Sequence, residues 1–295
     1  MVHYMSKNKL LFATAEGIGN VIECLSVIRT INEVLGFEID LWHAFGSFSI
    51  PKVIPYVDKW FVGGKIEKAD FSQYIGVVST CWTERHIVNL PLKLLNKPTL
   101  LSMTRSEVDC YMDIARDLGA KEKDLIWHGE CSYNEVGNVA DVVIHNGYNP
   151  HGSANWKIKS YPHYEEVARL LSQSGLKVTS VGSKSEYIKG TYDCTELDLL
   201  DTLGVMNNCK VFLGNDSGLY HCANALSIPN VVIFTATSIK KNYNGKFHKY
   251  TTIVGRDDLE CRPCQAGRKW KNCKTWDCQQ IDPQVVYKVV MEKIQ

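Results

Sequence analysis

The chain has 295 residues, of which 33 are Lys or Arg, 32 are Asp or Glu and 45% are hydrophobic. This length suits two domains, and the composition excludes a disordered chain. The net charge of +1 gives no overall reason to expect a nucleic-acid or membrane partner. No apolar run reaches the roughly 20 residues of a membrane span, and none near the N-terminus is long enough for a secretory signal. The sequence therefore predicts a cytoplasmic protein whose 11 cysteines are reduced thiols or metal ligands.

The first half of the chain begins with a strand, a glycine turn, a helix and a second strand. Residues 10–14 predict a buried strand, residues 21–35 have the apolar spacing of a helix, and residues 38–43 predict the next strand. This succession is typical of a parallel α/β sheet. Further predicted elements are strands at 57–62, 75–79 and 99–102 and a helix at 107–118.

A second series of the same kind starts at Asp141. The predicted strands are 142–145, 177–181, 210–213 and 230–234, and the predicted helices are 164–174, 197–206, 218–226 and 283–294. Residues 134–138 are the predicted linker. We therefore predict an N-terminal domain over residues 1–138, a C-terminal domain over residues 139–282 and a closing helix over residues 283–295.

The turn after the first strand reads Glu16-Gly17-Ile18-Gly19-Asn20. Glycines between a strand and its helix let the backbone approach a ligand, and a helix N-terminus favours anionic or polar groups. The motif lacks the third glycine of the dinucleotide-binding fingerprint. A tight strand-to-helix turn without a ligand explains it equally well.

A second glycine-containing turn lies between the predicted strand and helix around Asn215-Asp216-Ser217-Gly218. Asp216 or Ser217 can cap the helix, which leaves backbone N–H groups pointing outward at the carboxyl end of a strand, where ligands bind in open α/β sheets. These groups and the helix dipole suit a diphosphate, and His221, one turn further, can reach a ligand oxygen. The alternative is a capped helix over a buried histidine.

A third segment, Asn155–Lys159, follows a loop rich in Gly, Asn and Pro. A lysine in such a loop can neutralise a phosphate. A charged surface loop is the alternative.

Four cysteines lie within eighteen residues: Cys261, Cys264, Cys273 and Cys278. Four thiolates with a leading C-x-x-C suit tetrahedral zinc or a single iron. The segment has little apolar content, so a structural metal would supply folding energy that its small core lacks. Four protein ligands leave no open position for catalysis. Four unrelated thiols are the alternative, and the other seven cysteines are predicted core residues.

Positive charge is concentrated in the same region. Residues 239–274 contain ten Lys or Arg and three acidic residues, a local charge of +7, which leaves −6 for the rest of a chain of net charge +1. Together with Trp270 and Trp276, this stretch suits an anionic donor or a polyanion such as DNA. A solvated basic surface is an equally good explanation.

Together these segments resemble the heptosyltransferase-like glycosyltransferases. The resemblance is specific in the C-terminal half, whereas in the N-terminal half only the Gly17–Ile22 segment matches well. The matching C-terminal segments are Ile144–Gly147, Trp156-Lys157, Val178–Ser183, Asn215–Gly218 with His221, Ala225–Pro229, Val231–Phe234, Thr237-Ser238 and the cysteine cluster with Ile281-Asp282-Pro283.

The resemblance implies a GT-B fold, in which two Rossmann-like domains face each other across a cleft, here with a four-cysteine metal knuckle at residues 261–278. A nucleotide-diphosphate sugar would lie on the C-terminal domain, and its transfer would need no catalytic metal. The implied donor-binding residues are Asn146, Gly147, Trp156, Lys157, Gly182, Ser183, Asp216, Ser217, Gly218 and His221. The implied acceptor-side residues are Gly17, Gly19 and His43.

One departure concerns the general base. The family often carries an aspartate at the position of Asn20, and an amide cannot take up the proton of a hydroxyl. Glu16 is our first candidate for the base, followed by Glu23, Asp40 and His43. Alternatively, Asn20 only positions the acceptor hydroxyl.

The predicted function is therefore transfer of a sugar to the hydroxyl of a saccharide, a protein or a hydroxymethylated DNA base. Some relatives in the broader family are thought to bind iron, so zinc and iron both remain open, and a homo-oligomer is compatible with the sequence. The alternative is a non-catalytic module that binds a nucleotide sugar or nucleic acid and has lost its base.

Overall fold

A computed structural model describes residues 8–14, 17–44, 50–80, 84–137, 140–148, 156–265 and 271–295, without the side chains of residues 51, 84 and 85. The chain divides into two compact units, residues 1–131 and 132–295. The division falls just before the predicted linker at 134–138.

The first unit contains a four-stranded parallel sheet of order β3-β2-β1-β4. Strand β1 is buried throughout and pairs with β2 from Lys9 opposite Glu38 to Thr14 opposite His43. A strand covered on both faces is a continuous apolar run, which explains why β1 was readable from the sequence. The strands are β1 (Lys9–Thr14), β2 (Glu38–His43), β3 (Lys59–Val62) and β4 (Val77–Ser79).

The helices of the first unit differ from the prediction, which did not include the short helix at 84–87. The predicted helix at 21–35 is divided at Cys24 and continues as a π-helical turn at Thr30–Val34, and Gly36 at φ +71° follows it. The predicted strand at 99–102 has no regular structure. The described α-helices are α1 (Ile18–Glu23), α2 (Leu25–Arg29), α3 (Glu84–Ile87) and α4 (Glu107–Asp117).

The second unit contains a six-stranded sheet, and all its strands are parallel. Its strand order is β10-β9-β8-β5-β6-β7, so the predicted strands occupy the middle. The edge strands β7 and β10 were not predicted. The strands are β5 (Val142–His145), β6 (Val178–Gly182), β7 (Tyr192–Thr195), β8 (Val211–Asn215), β9 (Asn230–Phe234) and β10 (Thr251–Gly255).

One apolar core joins this sheet to α5 and α9, and Val286 and Val290 of α9 are fully buried in it. Asp282 caps α9 by accepting a hydrogen bond from the N–H of Gln284, and Pro283 occupies the first turn. The helices are α5 (Tyr164–Gln173), α6 (Leu199–Asn207), α7 (Gly218–Ala225), α8 (Ile239–Asn242) and α9 (Pro283–Ile294). Throughout the described ranges of both units, every helix is too short or too polar to cross a membrane.

Candidate functional site

The carboxyl ends of β5, β6 and β8 lie at one edge of the second sheet, where parallel α/β sheets bind ligands. His145 ends β5, with its Nδ1 3.2 Å from the Oγ of Ser217 and its Nε2 3.6 Å from an oxygen of Glu186. A Cβ at Gly147 would collide with the His145 ring, and Gly182 has φ +116° with Glu186 close to where its Cβ would be. These two predicted residues must therefore be glycine for the strand-end loops to pack this closely.

Glu186 supplies a buried anion at this edge. One of its oxygens accepts hydrogen bonds of 2.8 Å from both the N–H and the hydroxyl of Ser183, and the other accepts from the N–H of Tyr148 at 3.3 Å. Burial would raise the pKa of Glu186, but hydrogen bonds from His145 and Ser183 outweigh it and lower that pKa to about 2. Glu186 was not among the residues predicted from the sequence, although Ser183-x-x-Glu186 has the spacing of a capping box.

Asn215 holds the end of β8 to the loop after β5. Its Nδ2 donates to Oδ1 of Asn146 and to the carbonyl of Gly147, at 3.1 Å each, and its Oδ1 accepts from the hydroxyl of Tyr164 at 2.5 Å. The Asn146 oxygen also accepts from the Ser160 hydroxyl at 3.0 Å. In this structure the Asn146 side chain therefore orders the loop that the sequence assigned to donor binding.

The first turn of α7 is not capped as predicted. Ser217 occupies the N-cap position, but its hydroxyl is beside His145 instead of bonding to the helix backbone. The carboxylate of Asp216 is also engaged elsewhere, accepting from the side chain of Asn242 at 2.6 Å. Because N–H groups in a first helical turn have no partner within the helix, α7 offers hydrogen-bond donors to an anion at this edge.

Lys159, not Lys157, is the lysine beside this helix N-terminus. Its Nζ lies 3.0 Å from the carbonyl oxygen of Asp216 and 3.5 Å from the Asp216 carboxylate, and 5.4 Å from the centre of the Trp156 ring. The Lys157 side chain is exposed in the same short turn. The two lysines are two positions apart, so the sequence pattern did not separate them. Asn155 lies outside the described residues.

His221 belongs to a buried chain of hydrogen bonds that fixes its tautomer. The N–H of Asn244 donates to Nδ1 of His248 at 2.9 Å, so the His248 proton is on Nε2, which lies 2.9 Å from Nδ1 of His221. His221 therefore carries its own proton on Nε2. Burial, followed by the charges of Lys159 and Lys241, lowers the pKa of His221 to about 3, and burial lowers the pKa of His248 as well. His221 is thus a neutral N–H donor and adds no positive charge.

Among the residues predicted for the acceptor side, Asn20 is paired with a buried glutamate. Gly17 is the N-cap of α1, with open space where a Cβ would be, and Gly19 and Asn20 lie in the first turn. The Asn20 amide donates to Glu107 at 2.7 Å, and the hydroxyl of Tyr111 donates to the same Glu107 oxygen at 2.8 Å. Glu107 was not selected from the sequence, because it is separated from Asn20 by 87 positions.

The other candidate bases differ in what surrounds them. Asp40 is fully buried and bonded to Lys9 at 2.8 Å and to the Tyr74 hydroxyl at 2.6 Å, which is a structural ion pair. His43 is also fully buried; burial lowers its pKa, and among the described residues neither ring nitrogen has a hydrogen-bond partner of good geometry. Glu23 is buried in α1, and Glu16 lies outside the described residues.

The four clustered cysteines share one corner of the second unit. Cys264 and Cys278 are buried in one apolar cluster with Ile158 and Ala236. Burial raises the pKa of Cys278 to about 11 and also raises that of Cys264, and the neighbouring thiols add to both shifts. Among the described residues no three of these sulfurs lie within 4.8 Å of one another, so the arrangement does not confirm the predicted metal knuckle.

Part of the basic charge of residues 239–274 is neutralised locally. Arg256 pairs with Asp258 at 2.6 Å, and Arg262 pairs with Asp257 at 3.0 Å. The Arg262 side chain is buried and also donates to the carbonyl of Phe234. Arg262 therefore has a structural role, and lysines carry the charge available to a ligand from the described part of this stretch.

Comparison with known proteins supports the sequence resemblance. The sequence profile of Glyco_transf_9, glycosyltransferase family 9 (heptosyltransferase), matches residues 148–274. No protein of curated function matches the sequence.

Three solved structures are similar along almost the whole chain. The glycosyl transferase family 9 structure from Veillonella parvula has a TM-score of 0.72 at 14% identity and covers 98% of this chain and 97% of its own. The E. coli ADP-heptose lps heptosyltransferase II has a TM-score of 0.69 at 16% identity and covers 97% and 98%. The iron-containing, dodecameric heptosyltransferase TibC from enterotoxigenic E. coli, in complex with ADP-D-beta-D-heptose, has a TM-score of 0.68 at 14% identity and covers 98% and 76%.

These likenesses give the chain an α/β fold of the GT-B type, with parallel sheets in both units. The family match lies in the second unit, around the strand-end loops described above. The resemblance predicted from the sequence is confirmed: residues 148–274 match the model of glycosyltransferase family 9 (heptosyltransferase), and the chain shares its fold with solved glycosyltransferases of this kind.

Proposed function

We propose that this glycosyltransferase moves a sugar from a nucleotide-diphosphate sugar to an acceptor hydroxyl, and that ADP-heptose is the donor. The observation that carries the proposal is the edge of the second sheet, where the first turn of α7 and Lys159 lie together. The complex of TibC, a heptosyltransferase of the same fold, with ADP-D-beta-D-heptose supports this choice of donor.

The leaving group is a nucleoside diphosphate, on which negative charge develops as the bond to the sugar breaks. N–H groups of the first turn of α7 and the ammonium of Lys159 stabilise that charge in place of a catalytic metal. His221 adds a neutral N–H donor held in one tautomer by His248. Around the donor we place the predicted loop residues, which are Gly147, Trp156, Lys157, Gly182 and Ser183.

The acceptor hydroxyl loses its proton to a base on the first unit and attacks the anomeric carbon of the sugar. Glu16, next to Gly17, remains the candidate from the sequence for this role. A saccharide is the acceptor we favour, since one E. coli relative is named as an lps heptosyltransferase. A protein side chain and a hydroxymethylated DNA base are the other acceptor classes to test.

We further propose that Cys261, Cys264, Cys273 and Cys278 bind one structural metal ion. The proposal is supported by the burial of Cys264 and Cys278 in one cluster and by the influence of the other cysteines of the segment on the pKa of both thiols. The iron in TibC makes iron a candidate besides zinc. The ion would fix the segment that Gln279 ties to the Lys157–Lys159 turn through hydrogen bonds to the carbonyls of Lys157 and Ser160.

The proposal is tested by incubating the purified protein with ADP-, UDP- and GDP-sugars and measuring release of the nucleoside diphosphate. We expect ADP-heptose to be consumed, and Lys159→Ala to lower kcat/KM about 100-fold, as removal of one charge-stabilising donor commonly does. Lys210→Ala, which removes an exposed lysine paired with Asp141, is the matched control and should retain activity. If no donor is consumed but ADP still binds, the non-catalytic module is the better description.

A second assay separates the acceptor classes. We expect a saccharide acceptor to accelerate ADP release, whereas duplex DNA containing hydroxymethylated bases should neither accelerate it nor bind. DNA binding that weakens steeply with salt, together with sugar transfer to the base, would transfer the assignment to a DNA acceptor.

A further inference from the structure

The pairing of Asn20 with Glu107 bears on the missing base, and the inference drawn from it depends on the proposed function. At the position where the resembling family often has an aspartate, this chain has an amide, and the amide nitrogen lies 2.7 Å from a carboxylate oxygen of Glu107. Position 20 therefore lacks a carboxylate of its own, but its amide is hydrogen-bonded to the carboxylate of Glu107. This carboxylate comes from α4 instead of from the turn after β1.

The surroundings of Glu107 aim its carboxylate at Asn20. It is only 3% exposed, at the first position of α4 after the N-cap Ser106, where the helix dipole stabilises a negative charge. Asn20 and the hydroxyl of Tyr111 both donate to its Oε1. These bonds fix the amide so that its nitrogen faces Glu107, and Asn20 thereby links the carboxylate to the first turn of α1.

We propose that Glu107 is the general base of this glycosyltransferase and that Asn20 positions the acceptor hydroxyl beside it. The hydroxyl proton passes to the Glu107 carboxylate as the acceptor oxygen forms its bond to the anomeric carbon. The bond from that carbon to the diphosphate breaks, and the diphosphate leaves with the electron pair. The proton is thus held by Glu107 at the end of the step and is later released to water.

Three other carboxylates in the described part of the first unit are placed less well for this role. Asp40 is held in its ion pair with Lys9 and in a hydrogen bond from Tyr74. Two partly exposed acidic residues of α4, Asp109 and Asp113, are bound by arginines at positions 105 and 116. Glu107 is distinguished by its contact with α1, because the Asn20 amide and the Tyr111 hydroxyl both donate to its Oε1.

The test exchanges the charge between the two positions. With ADP-heptose as donor and ADP release as the signal, Glu107→Gln should lower kcat by about 100-fold or more, the usual contribution of a general base, while KM for ADP-heptose changes little. The double variant Asn20→Asp/Glu107→Gln returns the carboxylate to position 20 beside an amide and should recover activity to within about tenfold of the wild type. Asn20→Asp alone places two carboxylates side by side and should shift the acid limb of the pH–rate profile to higher pH.

The controls distinguish loss of the base from loss of folding, from Glu16 acting as the base, and from failure of the proposed function. Glu122→Gln, an exposed glutamate paired with Arg116 near the end of α4, should keep full activity. Hydrogen exchange across residues 107–117 reports whether each variant retains a folded α4. The inference is overturned if a folded Glu107→Gln variant keeps a kcat within tenfold of the wild type. It is also overturned if the double variant is no more active than Glu107→Gln alone. Complete loss of activity in Glu16→Gln, together with full activity in Glu107→Gln, would assign the base to Glu16 instead. A wild-type protein that releases no ADP overturns the proposed function and this inference together.

Discussion

Glu186 joins the strand-end loops of the second unit through its charge. Its carboxylate is buried and bonded on one side by Ser183 and on the other by the backbone of Tyr148, with His145 close by. The ionised form is therefore the one that fits the folded protein. A neutral glutamine in its place has only one accepting oxygen, so its amide N–H would face a group that also donates. One buried donor would then lack an acceptor, which lowers the free energy of unfolding by about 1–3 kcal/mol.

We expect Glu186→Gln to reduce the free energy of unfolding in a pH-dependent way. The folded-state pKa of about 2 is below the usual value of 4.5, so ionised Glu186 stabilises the fold above about pH 4.5, and that contribution is lost as the pH falls toward 2. Urea unfolding measures the difference in unfolding free energy between wild type and variant. From this pKa difference we expect it to be on the order of 3 kcal/mol at pH 7 and to shrink between pH 4.5 and pH 2. Glu166→Gln, which alters an exposed pair with Arg169, is the control and should show almost no difference at either pH. An equal loss for Glu186→Gln at all pH values would contradict the electrostatic account.

Local structure was predictable from the sequence where the residues that form it are adjacent in the chain. The turn at Asp216-Ser217-Gly218 was found because strand, turn and helix follow one another there. The pairing of Asn20 with Glu107 was not readable, since it depends on the packing of α4 beside α1. The actual engagement of Ser217 with His145 likewise depends on the neighbouring strand β5.

At the scale of elements, burial decided which strands could be predicted. The inner strands β5, β8 and β9 are buried throughout and form apolar runs. The edge strand β7 is half-exposed and its sequence, YDCT, has no apolar run, so only its pairing with β6 reveals it. The π-helical turn after α2 was missed because apolar spacing does not distinguish an α-helix from a local widening of its turns.

The segment 261–278 is the element for which we predict dependence on a metal. We expect about one zinc or iron per chain by elemental analysis, and a lower melting temperature after chelation, because bound metal contributes folding free energy to a segment with a small core. Cys264→Ser should abolish the metal content, whereas Cys194→Ser on the edge strand β7 should leave it unchanged. Metal-free wild-type protein with an unaltered melting temperature would refute the metal site and leave the four cysteines as ordinary thiols.

At the scale of the whole molecule, the presence of two α/β units was foreseeable because the strand-turn-helix pattern occurs twice. Each unit has its own parallel sheet, and the division between Cys131 and Ser132 lies within a few residues of the predicted linker. The sequence did not reveal that the second sheet extends to six strands, since both added strands lie at edges. A sheet with strands on both sides of β5 and β8 gives the proposed donor site a rigid base.

This organisation predicts that ADP stabilises one unit selectively. Because the proposed contacts to ADP lie in residues 132–295, ADP at 100 times its Kd should add about 2.7 kcal/mol to the unfolding free energy of that unit and little to the other. Calorimetry should then resolve two unfolding transitions, and ADP should raise the melting temperature of one of them by several degrees.

Hydrogen exchange identifies the unit that ADP stabilises. Protection should rise around residues 156–160, 182–186 and 216–221 and remain unchanged over residues 107–117. Lys159→Ala should reduce the shift, and Lys210→Ala should preserve it. Protection confined to residues 8–131 would place the nucleotide on the wrong unit for our proposal, and the donor site would then have to be reassigned.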